Sequence, residues 1–218
     1  MTIQIPQLGT GIYRIADVAR YTGVHANTLR SWFNSRKLFV PDFAPVAGAT
    51  CVSFLDMLDS RVASFFRKSG VNMPVVRKAY ENLKGKLETE HPFCHKDVYT
   101  DGKSIIYETA EDLRDRKLLD AVDSQQLFRK IKGYLKQIEF HQVSRVAERW
   151  LIASGVVIDP RIAMGQPVVT GTGVTTWTLN CAYNANDLDA EFVGGMYNVS
   201  ASQVKDAVAF EEKRRKAA

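Results

Sequence analysis

Gly11-Ile12-Tyr13-Arg14-Ile15-Ala16-Asp17-Val18-Ala19-Arg20-Tyr21-Thr22-Gly23-Val24-His25-Ala26-Asn27-Thr28-Leu29-Arg30-Ser31-Trp32-Phe33 reads as two short helices joined at Gly23. Ile15, Val18 and Ala19 give the first helix an apolar face, and Leu29, Trp32 and Phe33 do the same for the second at i, i+3 and i+4. Gly23 stands where a sharp interhelical turn needs positive φ or close backbone approach. The second helix leaves His25, Asn27, Thr28, Arg30, Ser31 and Asn34 pointing outward, and Arg36 and Lys37 follow it. Short donors and acceptors flanked by cations suit a major groove and its phosphates. Arg14, Arg30, Arg36 and Lys37 are therefore the candidate phosphate contacts. His25, Asn27, Thr28 and Ser31 are the candidates for base edges, and Asn34 and Thr50 complete the expected interface with duplex DNA. The plain alternative is a helical hairpin that serves only a core.

Working outward, charge is distributed unevenly. The net charge is +5, but residues 1–88 carry a net +6, residues 89–155 are balanced, and residues 156–212 carry a net −5 before the basic run Lys213-Arg214-Arg215-Lys216. A polyanion partner belongs with the front, and the acidic rear is better suited to protein contact. The chain of 218 residues has room for two small domains. No run approaches the roughly 20 apolar residues of a membrane span, and no leader pattern opens the chain, so a cytoplasmic protein without a membrane partner is expected. Cys51, Cys94 and Cys181 are far apart and odd in number, which points to free, buried thiols in a reducing compartment.

Behind the opening helices, Pro41, Pro45 and Gly48 break any helix, and a short hairpin with Thr50-Cys51-Val52 as its return strand is expected. Ser53 with Asp56 caps a third helix bearing the stripe Leu55, Leu58, Val62, Phe65 and Phe66. Asn72 caps a fourth, with Pro74 in its first turn, running to about Glu90. The middle of the chain predicts a hairpin at Val98–Tyr107 around Asp101-Gly102, a helix from Thr109 to Leu119, helical signal from Leu127 to Ile138, and short strands near Phe140 and Trp150-Leu151-Ile152. The rear opens with extended stretches at Val156–Arg161 and Gly165–Val169. Helices follow at about Thr176–Tyr183, Leu188–Tyr197 and Ala201–Lys213, the last with a Ser200/Gln203 capping box.

Groups able to carry chemistry are few. His91, Cys94 and His95 match no zinc spacing and read as a connector with one buried thiol. Glu108, Glu111, Asp112 and Asp115 could be imagined as a magnesium site, but their spacing beside Arg114, Arg116 and Lys117 is that of a solvated helix face. Gly171-Thr172-Gly173 reads as a tight turn and not a phosphate loop. Asp159 and Arg161, which flank Pro160, form a local ion pair or face a partner, and with Thr172 they are the candidate partner contacts. No cofactor, metal or catalytic site is expected.

Ile15–Val24 followed by Thr28-Leu29-Arg30 resembles the opening of MerR-family winged-helix domains, and Phe66–Met73 with Val75-Val76-Arg77 resembles that family's next helix pair. The family's usual two aromatics and Glu after the arginine are replaced by Ser31-Trp32-Phe33, and its long dimerising coiled coil is missing. Val157–Arg161, Gly165–Val169, Gly171–Val174 and Tyr197–Ser200 resemble the small C-terminal domain of a group of VapB-type antitoxins, some of which carry a MerR-like front. The resemblance implies a DNA-binding antitoxin that represses its own operon and neutralises a PIN-like ribonuclease toxin, and because one such module gives limited affinity a homodimer on palindromic operator DNA is expected. A MerR-like regulator with a ligand-sensing rear and a middle-segment nuclease are the other readings. The expected class is α+β and mainly helical. It comprises a winged helix-turn-helix unit at 1–90, a mixed helix and hairpin connector at 91–155, and a β-hairpin plus three-helix, homeodomain-like unit at 156–218.

Overall fold

A computed structural model of the chain describes residues 9–96, 98 and 136–216. It is α+β, with seven α-helices and two small sheets among those residues. Strand β1 (Tyr13–Arg14) leads into α1 (Ile15–Thr22), which Gly23 ends at φ 67 with its N–H on the Ala19 carbonyl. Helix α2 (Ala26–Arg30) runs into a π-helical turn, Ser31–Ser35, in which the Arg36 N–H reaches the Ser31 carbonyl at 2.7 Å. The continuous α-helix expected through Phe33 is thus widened by one residue per turn, with Trp32 and Phe33 both buried.

The hairpin expected at Leu38–Val52 takes another form. Strand β2 (Cys51–Val52) pairs with β1, Tyr13 opposite Val52 and Arg14 opposite Cys51. Between Leu38 and Ala49 the only ladder contact among the described residues is the bridge Val46–Ala49, closed over Ala47 and Gly48, both at positive φ. Pro41 and Pro45 withhold the two N–H groups a longer ladder would need.

Helix α3 (Phe54–Lys68) has the full capping box: Asp56 N–H donates to Ser53 Oγ at 3.1 Å, and Ser53 N–H donates to Asp56 Oδ2 at 3.0 Å. Helix α4 (Met73–Leu87) stops earlier than its sequence pattern, with Glu88 at φ 50. The hairpin at 98–107 (Val98 apart), the helix at 109–119, the stretch 127–135 and the acidic group Glu108, Glu111, Asp112 and Asp115 lie outside the described residues. Ile138, expected in a helix, belongs to β3 (Ile138–Phe140), because it pairs opposite Trp150.

Strands β3, β4 (Ala147–Ala153), β5 (Val156–Ile158) and β6 (Pro167–Val169) form one antiparallel sheet in chain order. The expected boundary between residues 155 and 156 falls in the β4–β5 turn, so hydrogen bonds cross it. Trp150 and Ile158, opposite each other, join the front core of Leu29, Trp32, Phe54 and Met57, whereas Val169 joins a rear core with Leu179, Val193 and Val204. Arg61 of α3 lies 3.9 Å over the Trp150 ring and donates to Gln137 Oε1 at 3.1 Å, which fixes helix to sheet. The rear helices are α5 (Thr176–Ala185), α6 (Ala190–Tyr197) and α7 (Ala201–Lys216), with the Ser200/Gln203 box closed in both directions.

Front and rear are tied directly. Tyr13 donates its phenol proton to the Gly165 carbonyl at 2.9 Å, and Arg214 of α7 donates to the Tyr21 phenol oxygen at 3.1 Å. Burial pushes the Tyr21 phenol up to about 12, against the pull of Arg214. Of the three free thiols, Cys51 and Cys94 are buried, but Cys181 is exposed on α5, contrary to expectation, because Leu179 and Ala182 take the inward face. No described helix is long and apolar enough to cross a membrane.

Candidate nucleic-acid interface

Leu29, Trp32 and Phe33 anchor α2 and its π turn in the core, and this decides which side chains face out. His25 precedes the helix and accepts the Asn27 N–H on Nδ1 at 3.2 Å. Arg30 donates from Nη1 to Asn27 Oδ1 at 2.7 Å, so the two exposed groups act as one unit. Thr28 and Ser31 are half-buried at the edges of this face. Beyond it, Thr50 donates to Asn34 Oδ1 at 3.0 Å, which joins the β2 end of the chain to the π turn. Arg14 sits across the ladder from Cys51, next to Thr50, and is exposed, with Nε 3.2 Å from Asp17. The structure joins His25, Asn27 and Arg30 in one hydrogen-bonded group and Asn34 with Thr50 in another.

Arg36 and Lys37 are exposed, Lys37 at φ 44. Their backbone is held by a residue to which the sequence gives no role. Arg77 of α4 donates to the Arg36 carbonyl at 2.7 Å and the Lys37 carbonyl at 3.2 Å. A partner 40 residues away leaves no local signal. The basic segment behind the outward face is positioned by this contact and by the Leu38 N–H on the Trp32 carbonyl, 2.7 Å.

The candidate partner contacts are engaged internally. Asp159 is buried and accepts from Arg161 at its N–H (2.9 Å), Nε (2.9 Å) and Nη2 (2.7 Å), while Arg161 Nη1 also pairs with Glu148. Burial works against the Asp159 charge, but the Arg161 hydrogen bonds hold its carboxyl below the usual range. Thr172 donates to the Val169 carbonyl at 3.0 Å and accepts the Val174 N–H at 3.1 Å, clamping the turn into α5.

A second polar group lies beneath the front and was not legible as a unit. His91 shares Nδ1 with Asp59 Oδ2 at 2.9 Å and Nε2 with Asp42 Oδ1 at 3.1 Å. Tyr80 donates to Asp59 Oδ2 at 3.0 Å, and Cys94 to the Leu55 carbonyl at 3.2 Å and Asp59 Oδ1 at 3.4 Å. Burial disfavours a charged imidazole, but the Asp42 and Asp59 hydrogen bonds prevail and raise His91 to about 10. Burial pushes the Asp59 carboxyl up, so both shifts keep a proton in the pair. Burial and the neighbouring Asp42 charge push Asp56 up to about 7. Asp42, Asp56 and His91 each offer a ligand atom within 4.8 Å of the others, the donor types a divalent ion would use. Of the three residues weighed from sequence, His95 stands apart, bridged to Val146 through its backbone. The available sign was Asp56 and Asp59 on α3, one turn apart among its buried residues.

Comparison with known proteins bears on both ends. Residues 156–210 match the family described as a protein of unknown function, DUF433. The chain is 27% identical to the Mycobacterium tuberculosis protein named "Putative antitoxin VapB45", over 90% of this chain and 92% of that one. It is 23% identical to "Uncharacterized protein Rv2308" of the same organism, over 94% and 91%. The X-ray crystal structure of Rv2018 from Mycobacterium tuberculosis superposes with a TM-score of 0.73 at 25% identity, covering 90% of this chain and 96% of that chain.

Proposed function

We propose that this chain is the antitoxin of a toxin–antitoxin pair, a non-enzymatic, cytoplasmic protein. Its front binds operator DNA and represses the operon, and its rear binds and neutralises a PIN-like ribonuclease toxin. Likeness to the antitoxin-named relative along nine-tenths of the chain carries the toxin-binding part of this reading. The outward group His25, Asn27 and Arg30, mounted on buried Leu29, Trp32 and Phe33, supports the DNA-binding part. In a MerR-like winged helix-turn-helix, α2 enters the major groove from its N-terminal end, where His25, Asn27 and Thr28 meet base edges. Arg14, Arg30, Arg36 and Lys37 contact phosphate, and Ser31, Asn34 and Thr50 line the margin. A homodimer on a palindromic operator places half-sites about 34 Å apart or at a multiple of that distance.

The test measures binding to the promoter of the chain's own operon as a function of salt. Each phosphate contact contributes about 0.9 to the slope of log K against log salt. Arg30→Ala/Lys37→Ala weakens binding to all duplexes and lowers the slope by about 1.8. Unchanged affinity and slope refute the front-end reading.

A further inference from the structure

Eight large apolar side chains are prominently exposed among the described residues, and three of them fall at 188, 192 and 196. Phe192 and Met196 are one turn apart on one side of α6, and Leu188 stands two residues before its first turn. The opposite side of α6 carries Ala190, Val193 and Gly194 into the rear core. At Gly194 a Cβ would stand 2.7 Å from the Val199 carbonyl oxygen, which fixes the helix's rotation and therefore the outward stripe. At Gly195, between Phe192 and Met196 on the outer side, a Cβ would meet open space, so a partner's surface can come close to the backbone.

The entry to this helix is strained. Asp187 and Leu188 hold φ of 48 and 62, left-handed values that an aspartate tolerates but a leucine does not favour. Glycine would relax position 188, yet leucine occupies it, 57% exposed. Exposed Asp187, Asp189 and Glu191 lie alongside, and the sequence contains no lysine or arginine between Arg161 and Lys205.

We propose that Leu188, Phe192 and Met196 form the toxin-docking surface, and that they fit an apolar groove on the partner flanked by lysine or arginine. The inference rests on the toxin-binding reading above and adds the surface and the partner's chemistry. Charge decides against a second copy as the occupant. A second copy would offer this face the same acidic flank, with no lysine or arginine from residues 162–204, whereas a basic-rimmed groove neutralises it.

The experiment co-expresses the tagged full-length chain with the protein encoded by the adjoining gene, then measures the affinity of the purified pair. Phe192→Asp/Met196→Asp is compared with Val143→Asp, a change at an exposed apolar residue outside this face. The expected result is a loss of about 100-fold for the double variant and less than about 3-fold for the control, with unchanged operator binding and circular dichroism. Retained affinity in the double variant overturns the assignment while leaving the antitoxin reading intact. Absence of any complex with the unaltered chain overturns the antitoxin reading itself. A chain that is dimeric alone by light scattering and becomes monomeric on Phe192→Asp/Met196→Asp assigns the face to a second copy and overturns the proposal.

Discussion

Replacing His91 with leucine removes both donors that face Asp42 and Asp59 while keeping an apolar side chain in the space. Asp59 is fully buried and would retain only Tyr80 and Cys94, so its carboxyl must take up a proton or stand as an uncompensated charge. Breaking a buried pair in this way costs about 3–5 kcal/mol. For a chain of this size that lowers the melting temperature by about 6–20 °C. The same group sets a pH dependence. The folded protein holds the imidazole proton up to about 10, whereas the ordinary histidine value is 6.5. Below 6.5 both states are protonated and the contribution is complete. Between 6.5 and 10 folding takes up a proton, so stability falls as pH rises and the contribution is gone above 10. Assigned wholly to His91, the interval corresponds to at most about 5 kcal/mol. Urea unfolding at pH 6, 8 and 10 measures it, with Asp59→Leu/His91→Leu as the reference that lacks both groups. The stability difference between the original chain and that double variant should shrink steadily over this range. A difference independent of pH, or a His91→Leu cost below about 1 kcal/mol at pH 6, refutes the buried imidazolium.

Two further substitutions test how the fold positions its ends. Gly165→Ala places a Cβ 2.1 Å from the Tyr13 phenol oxygen at a position with φ 83. It should break the Tyr13–Gly165 tie and destabilise by about 2 kcal/mol or more in denaturant titration, with the rear helices retained by circular dichroism. Ser53→Ala removes the acceptor of the Asp56 N–H at the start of α3 and should cost about 1–2 kcal/mol by the same measurement. A neutral Ser53→Ala would mean that the capping box does not contribute to the stability of α3.

Much of the front was legible because its determinants are local. A 3.6-residue apolar period, Gly23 at a helix end and Ser53 three residues before Asp56 act over a few bonds, and they place α1, α2 and α3 without reference to the rest of the chain. The same holds for the rear helices, whose caps Thr175, Asp189 and Ser200 are local side-chain contacts. The outward face of α2 followed from the inward one. Its internal wiring did not, because whether Asn27 offers its oxygen to a base or to Arg30 depends on rotamers that no spacing encodes.

The sequence by itself determined the approximate places of α1, α3, α4 and the rear helices, the charge division between front and rear, and the residue types available to each face, since period, caps and composition are properties of short segments. Only the tertiary structure decided that Cys51 and Val52 pair with Arg14 and Tyr13, and that Arg77 holds the Arg36–Lys37 backbone. The same is true of the enclosure of His91 by Asp42 and Asp59 and of the contact between Arg214 and Tyr21. Those partners are 32 to 193 residues apart. Packing of the whole core selects which distant polar groups must satisfy one another once water has gone, and a linear pattern does not record that choice.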